Sequence, residues 1–294
     1  MRAWGCGSRT EHRSVKEGCI MRRRDFLASL GAGIATSQMP VFGQSLANKP
    51  VVPPPPPPVR KAKVTKLFKS PDGHPNALDS TPEGFWIGEQ VTDRAILTDR
   101  NGKVLKAVQT ESHNTSGMAV GGGYIWMSAN GPANLNRPTK IARTESEVLQ
   151  CDMNGKTIKH HDVPLGGGGV HGIELVGDKL WVGILRLRGL LQMDAATFQP
   201  MIMFPYDMKR PHGLAWDNGA MWFVDGADDG PRILKLDAKT GRTLEIVQLT
   251  TSDPDPHGLT MFDGHLYYCD AGIHPGWEDN RSPATGYICR VDIL

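Results

Sequence analysis

Apolar and polar residues alternate in short runs along the chain, and the same run recurs: "GFWIGE", "YIWMSA", "KLWVGI", "AMWFVD" and "HLYYCD". Each reads as a strand with one face in a core. Aligned on the aromatic, they place Trp86, Trp126, Trp181, Trp222 and Tyr267 in register, roughly 40 to 55 residues apart. A second strand follows each and ends in aspartate: "ILTD" at Asp99, "LQCD" at Asp152, "LQMD" at Asp194, "LKLD" at Asp237 and "CRVD" at Asp292. Turns such as "DRNGK", "DMNGK" and "DAKTGR" then reverse the chain, with Asn-Gly or Gly at positive φ. A period of this length with four short strands predicts propeller blades. The expected fold is all-β, a single β-propeller of five four-stranded blades. The fifth unit stops after its third strand, and "KVTKLFKS" at residues 63–70 has no unit of its own. It is predicted to supply the missing strand and close the ring, which removes exposed sheet edges.

One phrase precedes the aromatic strand in three units: "VHGIEL", "PHGLAW" and "PHGLTM". It starts the innermost strand, so Asn76, Ser116, His171, His212 and His257 are expected at one mouth of the central channel. The ends of the neighbouring strands bring Glu89, Ala129, Ile184, Asp225 and Asp270 to the same rim. Three imidazoles from successive blades form a donor set for a divalent ion with an open position for substrate. The competing reading gives each histidine a hydrogen bond to the next blade, a role that repetition would copy into every unit. Units one and two carry Asn76 and Ser116 instead. That asymmetry favours a metal site formed by His171, His212 and His257, with His74 or His113 as a fourth ligand. The metal is one of Zn, Fe, Mn, Mg or Ca.

Around this mouth Glu89, Asp225, Asp270 and His274 are candidates for moving a proton or orienting the histidines. Asn76, Ser116, Arg137, Arg186 and Trp277 are candidates for holding a small-molecule substrate. The loops "NGPANLNRPTKIARTESE" and "AGIHPGWEDNRSPATG" are long enough to shape a pocket.

The N-terminal end of the chain changes the cellular setting. "MRRRDFLASLGAGIATSQMPVFGQSLA" at residues 21–47 carries Arg23-Arg24, a mildly apolar stretch and Ser45-x-Ala47, the form of a cleavable twin-arginine export signal. Residues 1–20 read as an upstream extension. Residues 48–63, with "VVPPPPPPVRKAK", read as a polyproline II linker, leaving residues 64–294 as the propeller domain. The expected partner is the twin-arginine translocation machinery, and the expected location is periplasmic or secreted. No segment approaches the roughly 18 apolar residues of a membrane span. A net charge of +2 without a basic stripe gives no support to nucleic-acid binding. Cys151 and Cys289 fall at apolar strand positions, and a Cys269–Cys289 bridge stays open.

The stretch "HGLAWDNGAMWFVDGADDGPRILKLDAKTGRTLEI" resembles the streptogramin lyase (virginiamycin B lyase-like) propellers and, more distantly, the SMP-30/gluconolactonase and NHL-type groups, over residues 64–294. The resemblance implies a divalent metal at the channel mouth and elimination or hydrolysis of esters or lactones. Five units are counted here where those families have six or seven, and the three-histidine set is more similar to the zinc site of propeller amidating lyases. The expected function is that of an exported metal-dependent lyase or hydrolase. The alternatives are a non-haem iron oxygenase and a non-catalytic ligand- or protein-binding propeller.

Overall fold

The structure, a computed structural model, describes residues 53–131, 146–226, 230–271 and 286–294. The chain divides after Pro54, and Pro55–Leu294 form one compact unit. Strand Val59–Lys69 (β1) comes first. Pro75–Thr81, Gly84–Glu89, Arg94–Thr98 and Val104–Gln109 (β2–β5) make a four-stranded antiparallel sheet. Met118–Gly121, Tyr124–Ala129, Glu147–Asp152 and Thr157–Asp162 (β6–β9) make the next, and Val170–Val176, Lys179–Ile184, Gly189–Asp194 and Pro200–Pro205 (β10–β13) the third. Pro211–Asp217, Ala220–Asp225, Arg232–Asp237 and Thr243–Gln248 (β14–β17) form a fourth unit. Leu259–Phe262, His265–Cys269 and Tyr287–Ile293 (β18–β20) need a fourth strand from elsewhere.

That strand is β1. It runs antiparallel to β20, with Lys63 opposite Asp292 and Lys69 opposite Tyr287, as the unpaired "KVTKLFKS" predicts. It also begins earlier than expected. Val59, Arg60 and Lys61 pair in parallel with Ile246, Val247 and Gln248 of β17, fusing the last two units into one eight-stranded sheet. The basic end of the proline segment is thus strand, and the linker boundary at residue 63 moves back to residue 58. Lysines at an outermost strand face water and discourage edge-to-edge pairing, so their charge concealed a strand.

The inner strands β2, β6, β10, β14 and β18 are neighbours in that cyclic order, and β18 returns to β2. The fold is a β-propeller whose core lies between the units. Trp86 packs with Ile125, Met127 and Leu149 of the second unit, and Trp126 with Val170, Ile173 and Leu180 of the third. Trp181 meets Leu214 and Phe223 of the fourth, and Trp222 meets Leu259, Leu266 and Tyr268 of the fifth. Tyr267 closes the circle against Phe85 at 4.9 Å between ring centroids. Losing one buried ring of this kind costs about 3–5 kcal/mol, so the repeated aromatic is the main adhesive between units.

The strand-ending aspartates have a local cause. Asp99 Oδ1 accepts the Asn101 and Lys103 N–H groups at 2.8 and 2.9 Å. Asp152 does the same for Asn154 and Lys156, and Asp237 for Lys239 and Thr240. Each carboxylate satisfies the donors of the turn it precedes. Cys269 pairs with Ile288 while Cys289 pairs with Tyr268. The two cysteines therefore point to opposite faces of one sheet, and both are free thiols.

Candidate functional site

Five side chains at equivalent positions lie where the inner strands begin. The register of β2 shifts between Pro75 and Ala77, that of β10 between Val170 and Gly172, and that of β14 between Pro211 and Leu214. Asn76, His171 and His212 sit inside these irregularities, which re-aim a side chain relative to regular pleating. Ser116 and His257 occupy the same place just ahead of β6 and β18. The glycine after each histidine has a steric reason. A Cβ on Gly213 would run into the His257 carbonyl and Leu259 N, and one on Gly258 into Ala77 and Leu78 N. Inner strands this close admit no side chain there. The Gly213 N–H donates to the His257 carbonyl at 2.8 Å, which ties the fourth unit to the fifth at the level of the histidines.

The structure brings the three histidines together. The His171 and His212 rings stand 4.7 Å apart, centroid to centroid, and His212 and His257 stand 4.4 Å apart. On the other side of the tier, the Asn76 amide donates to Ser116 Oγ and to the Thr115 carbonyl, both at 2.9 Å. Burial lowers the His171 pKa to about 3, helped by His257 and Arg210, and a backbone bond with Pro211 opposes it. Burial also holds His212 well below the usual imidazole range, with His257, His171 and Arg210 adding to the effect. Both rings are therefore neutral at physiological pH, the form that binds metal. The Nδ1 atoms of His171 and His212 are buried without a hydrogen-bond partner. His257 Nδ1 lies 3.1 Å from the Asp255 carbonyl oxygen, to which it can donate, and 3.5 Å from the Ala271 backbone nitrogen, whose N–H it can accept in the other tautomer.

Imidazole nitrogen is a ligand type of borderline divalent ions. Among the described residues, no three His, Cys, Asp or Glu side chains close around one point, so the imidazoles form a row of neighbours and not a closed cage.

The rim carboxylates hold the loops that lead into this tier. Glu89, fully buried, accepts the Ser70 hydroxyl and, at 2.9 Å, the His74 N–H. Burial raises its pKa to about 7, against those two hydrogen bonds. Asp225 accepts the Lys209 and Arg210 N–H groups at 3.1 and 3.0 Å and pairs with Arg232 at 2.9 Å. His74 precedes Asn76 by two residues and Arg210 precedes His212 by two, so one device anchors both loops just before their ring residues. Asp270 is buried at the corresponding place, with its N–H donated to the Tyr287 carbonyl. Arg210 in turn forks onto Asp255 at 2.6 Å, two residues before His257. His74 Nδ1 lies 3.4 Å from the Ala271 carbonyl. His113 is buried and its carbonyl accepts the Asn130 N–H at 2.7 Å. Arg186 is exposed and its backbone pairs with Gly168. Arg137, His274 and Trp277 lie outside the described residues.

A deeper tier went unread in the sequence. Asp79 Oδ2 accepts the Val120 N–H of the second unit at 2.6 Å, and Oδ1 accepts its neighbour Ser80 N–H at 2.7 Å. Glu174 accepts the Trp216 N–H of the fourth unit at 3.3 Å. Both pKa values are raised, first by burial, Asp79 to about 6, and the Asp79 charge pushes Glu174 up further. Units one and three are not neighbours, so these carboxyls interact across the axis. Each follows its ring residue by three positions, because the irregularity adds one residue to the period of two. A search at that offset would have found "NALD" and "HGIE".

No protein-family model matches the sequence, and no curated relative matches it. Solved structures do. Glutaminyl cyclase of Myxococcus xanthus superposes with a TM-score of 0.58 at 12% identity, over 81% of this chain and 100% of that one. Virginiamycin B lyase of Staphylococcus aureus gives 0.43 at 16% identity, over 77% and 69%. A luciferin-regenerating enzyme gives 0.48 at 16%, over 72% and 74%. At 12% identity the likeness to the glutaminyl cyclase is one of fold alone.

Proposed function

We propose that the channel mouth is the catalytic site of an exported, metal-dependent lyase or hydrolase acting on a small ester, lactone or related carbonyl substrate. The observation that carries this reading is the row of imidazoles His171, His212 and His257, the first two with a buried, unpartnered Nδ1. Fold likeness does not enter the argument, because one fold hosts many chemistries.

In this reading the three histidines would hold a divalent ion, which would supply Lewis-acid polarisation of a substrate carbonyl or carboxylate. Burial keeps the His171 and His212 rings unprotonated, so no proton has to leave before these two bind. Glu89, with a pKa near 7, is in the range suited to moving a proton at neutral pH. Asp225 acts through the Lys209–Arg210 loop and positions His212. Arg186, with Arg137, His274 and Trp277 of the long loops, would contact substrate. The Arg23-Arg24 signal completes the reading by delivering the chain outside the cytoplasm.

Turnover of a panel of aryl esters and lactones by the purified full-length protein, before and after chelation, tests the proposal. Activity should fall at least tenfold on chelation and return with a divalent ion. Return with ferrous iron alone, accompanied by oxygen uptake, would select the oxygenase reading. Turnover indifferent to chelation would remove the metal from the mechanism.

A further inference from the structure

We infer that the outer strand of the third unit, β13, is a self-pairing edge through which two copies of the chain associate about a two-fold axis at Ile202. The strand reads "PMIMFP". Its Met201, Ile202 and Met203 are 52%, 38% and 48% exposed, so three consecutive apolar side chains stand at the margin of a sheet. The other outer strands are blunted by charge or cover. β5 carries Lys106, and β9 carries Lys159 and Asp162. The edge of β17 is covered by the chain's own β1, which is itself strongly basic. Among the described outer strands β13 alone has no charged residue, and among the described residues nothing pairs with it beyond β12. Charge on an edge strand prevents edge-to-edge pairing, and without it the edge is a template.

The ladder with β12 fixes which backbone groups are left over. The Tyr206 N–H donates to the Arg188 carbonyl at 2.9 Å, while Phe204 stands opposite Leu190 and Ile202 opposite Gln192. Backbone groups alternate in direction along an antiparallel strand. Phe204 and Ile202 therefore bond to β12, and the N–H and C=O of Met201 and Met203 point away from the sheet. A second β13 laid antiparallel about Ile202 sets Met201 of one copy opposite Met203 of the other, and each such pair exchanges both its N–H and its C=O. Ile202 then faces its own copy in the close, non-hydrogen-bonded position. The strand is complementary to itself and brings no like charges together, which is what selects a second copy as the occupant. Pro200 and Pro205 bound the segment, and because proline has no N–H the ladder stops there. The chain already uses strand addition within itself, where β1 on β17 makes an eight-stranded sheet. A β13 pair would make another from two four-stranded ones. β13 is the outermost strand of its sheet, so pairing leaves the channel mouths clear, and the antiparallel arrangement turns them to opposite sides of the dimer.

An edge this short buries less than the roughly 1,200–2,000 Å² of a standard interface, so the dimer is expected to depend on concentration. Sedimentation of the full-length protein over about a hundredfold range of concentration should pass from monomer to dimer, and hydrogen exchange at the Met201 and Met203 amides should slow in step. Ile202→Lys sets like charges opposite each other and should weaken association about fivefold or more, with the monomer's thermal melt unchanged because the side chain is exposed. Ile202→Cys should form a disulfide-linked dimer under mild oxidation, since the Cα separation of about 4.5 Å in such a pair lies within the roughly 4.4–6.8 Å that a disulfide spans. Peptide mass spectrometry identifies the linked position. Ile158→Cys on β9, at a site 56% exposed, is the control and should cross-link far more slowly. If Ile202→Lys folds poorly, the two cysteine variants carry the test. A parent that stays monomeric with these amides protected would mean that another segment of the same chain covers the edge, and one with freely exchanging amides would mean that nothing of this chain does. Either result overturns the inference, as does a dimer indifferent to Ile202→Lys or equal cross-linking at the two cysteine positions.

Discussion

Asp79 and Glu174 show how much a single carboxyl group can link. Asp79 reaches from the first unit to Val120 of the second and lies within 3.4 Å of Thr260 Oγ1 in the fifth. Glu174 reaches from the third to Trp216 of the fourth. All five inner strands are thereby touched by two side chains whose charges repel. Their folded pKa values are raised, so the unfolded chain releases these protons first as pH rises. Stability should fall from about pH 4, the ordinary carboxyl range, through the folded pKa values, and stay lowered above them. Glu89 adds in the same direction up to about pH 7. The neutral histidines act oppositely, withdrawing stability as pH drops below about 6.5. Glu174→Gln should therefore stabilise the protein at pH 8 and change little at pH 4, as read from thermal melts at both values. An equal shift at the two pH values would show that the charge on Glu174 is not what lowers stability. The ring residues were legible in the sequence because they recur at one alignment position. Asp79 and Glu174 were not, because the register irregularity changes which residues face the axis. Nor does sequence alone tell whether a carboxylate such as Asp225 points into a channel or back onto its own loop.

At the scale of elements, β1 does two jobs. Its residues 62–69 complete the fifth unit against β20, and its first three residues cover the edge of β17. Alternation and the missing strand of the last unit made the first role readable. The second was hidden in "VRKAK", where lysine and a neighbouring proline run suggest a linker. Deleting residues 59–69 would bare the edges of both β17 and β20. The expected result is loss of the single cooperative melt, with aggregation of the truncated chain, followed by calorimetry and light scattering. A truncated protein melting at the parent temperature would mean that β1 is dispensable to closure. The strand-ending aspartates belong to this scale as well. Their recurrence was visible, and the structure supplies the reason in the turn N–H groups they accept.

Across the whole molecule, the aromatic repeats bind unit to unit, the glycines let the inner strands crowd together, and the crowding sets three imidazoles side by side. The described inner strands close on themselves, so the polar tier sits where no single sheet can satisfy it alone. A histidine whose task was structural would give up a hydrogen bond when replaced, at a cost of roughly 1–3 kcal/mol, with metal content unaffected. A histidine serving as ligand behaves in the opposite way. The most direct measurement is the metal content, by elemental mass spectrometry at matched protein concentration, of the full-length protein and of His171→Ala, His212→Ala and His257→Ala, each checked for an unchanged thermal melt without metal. The account predicts about one divalent ion per chain in the parent and a loss of most of it in each variant, with the melt preserved. Parent-like metal content in all three variants, or a parent that binds none when offered zinc, iron or manganese, would contradict it.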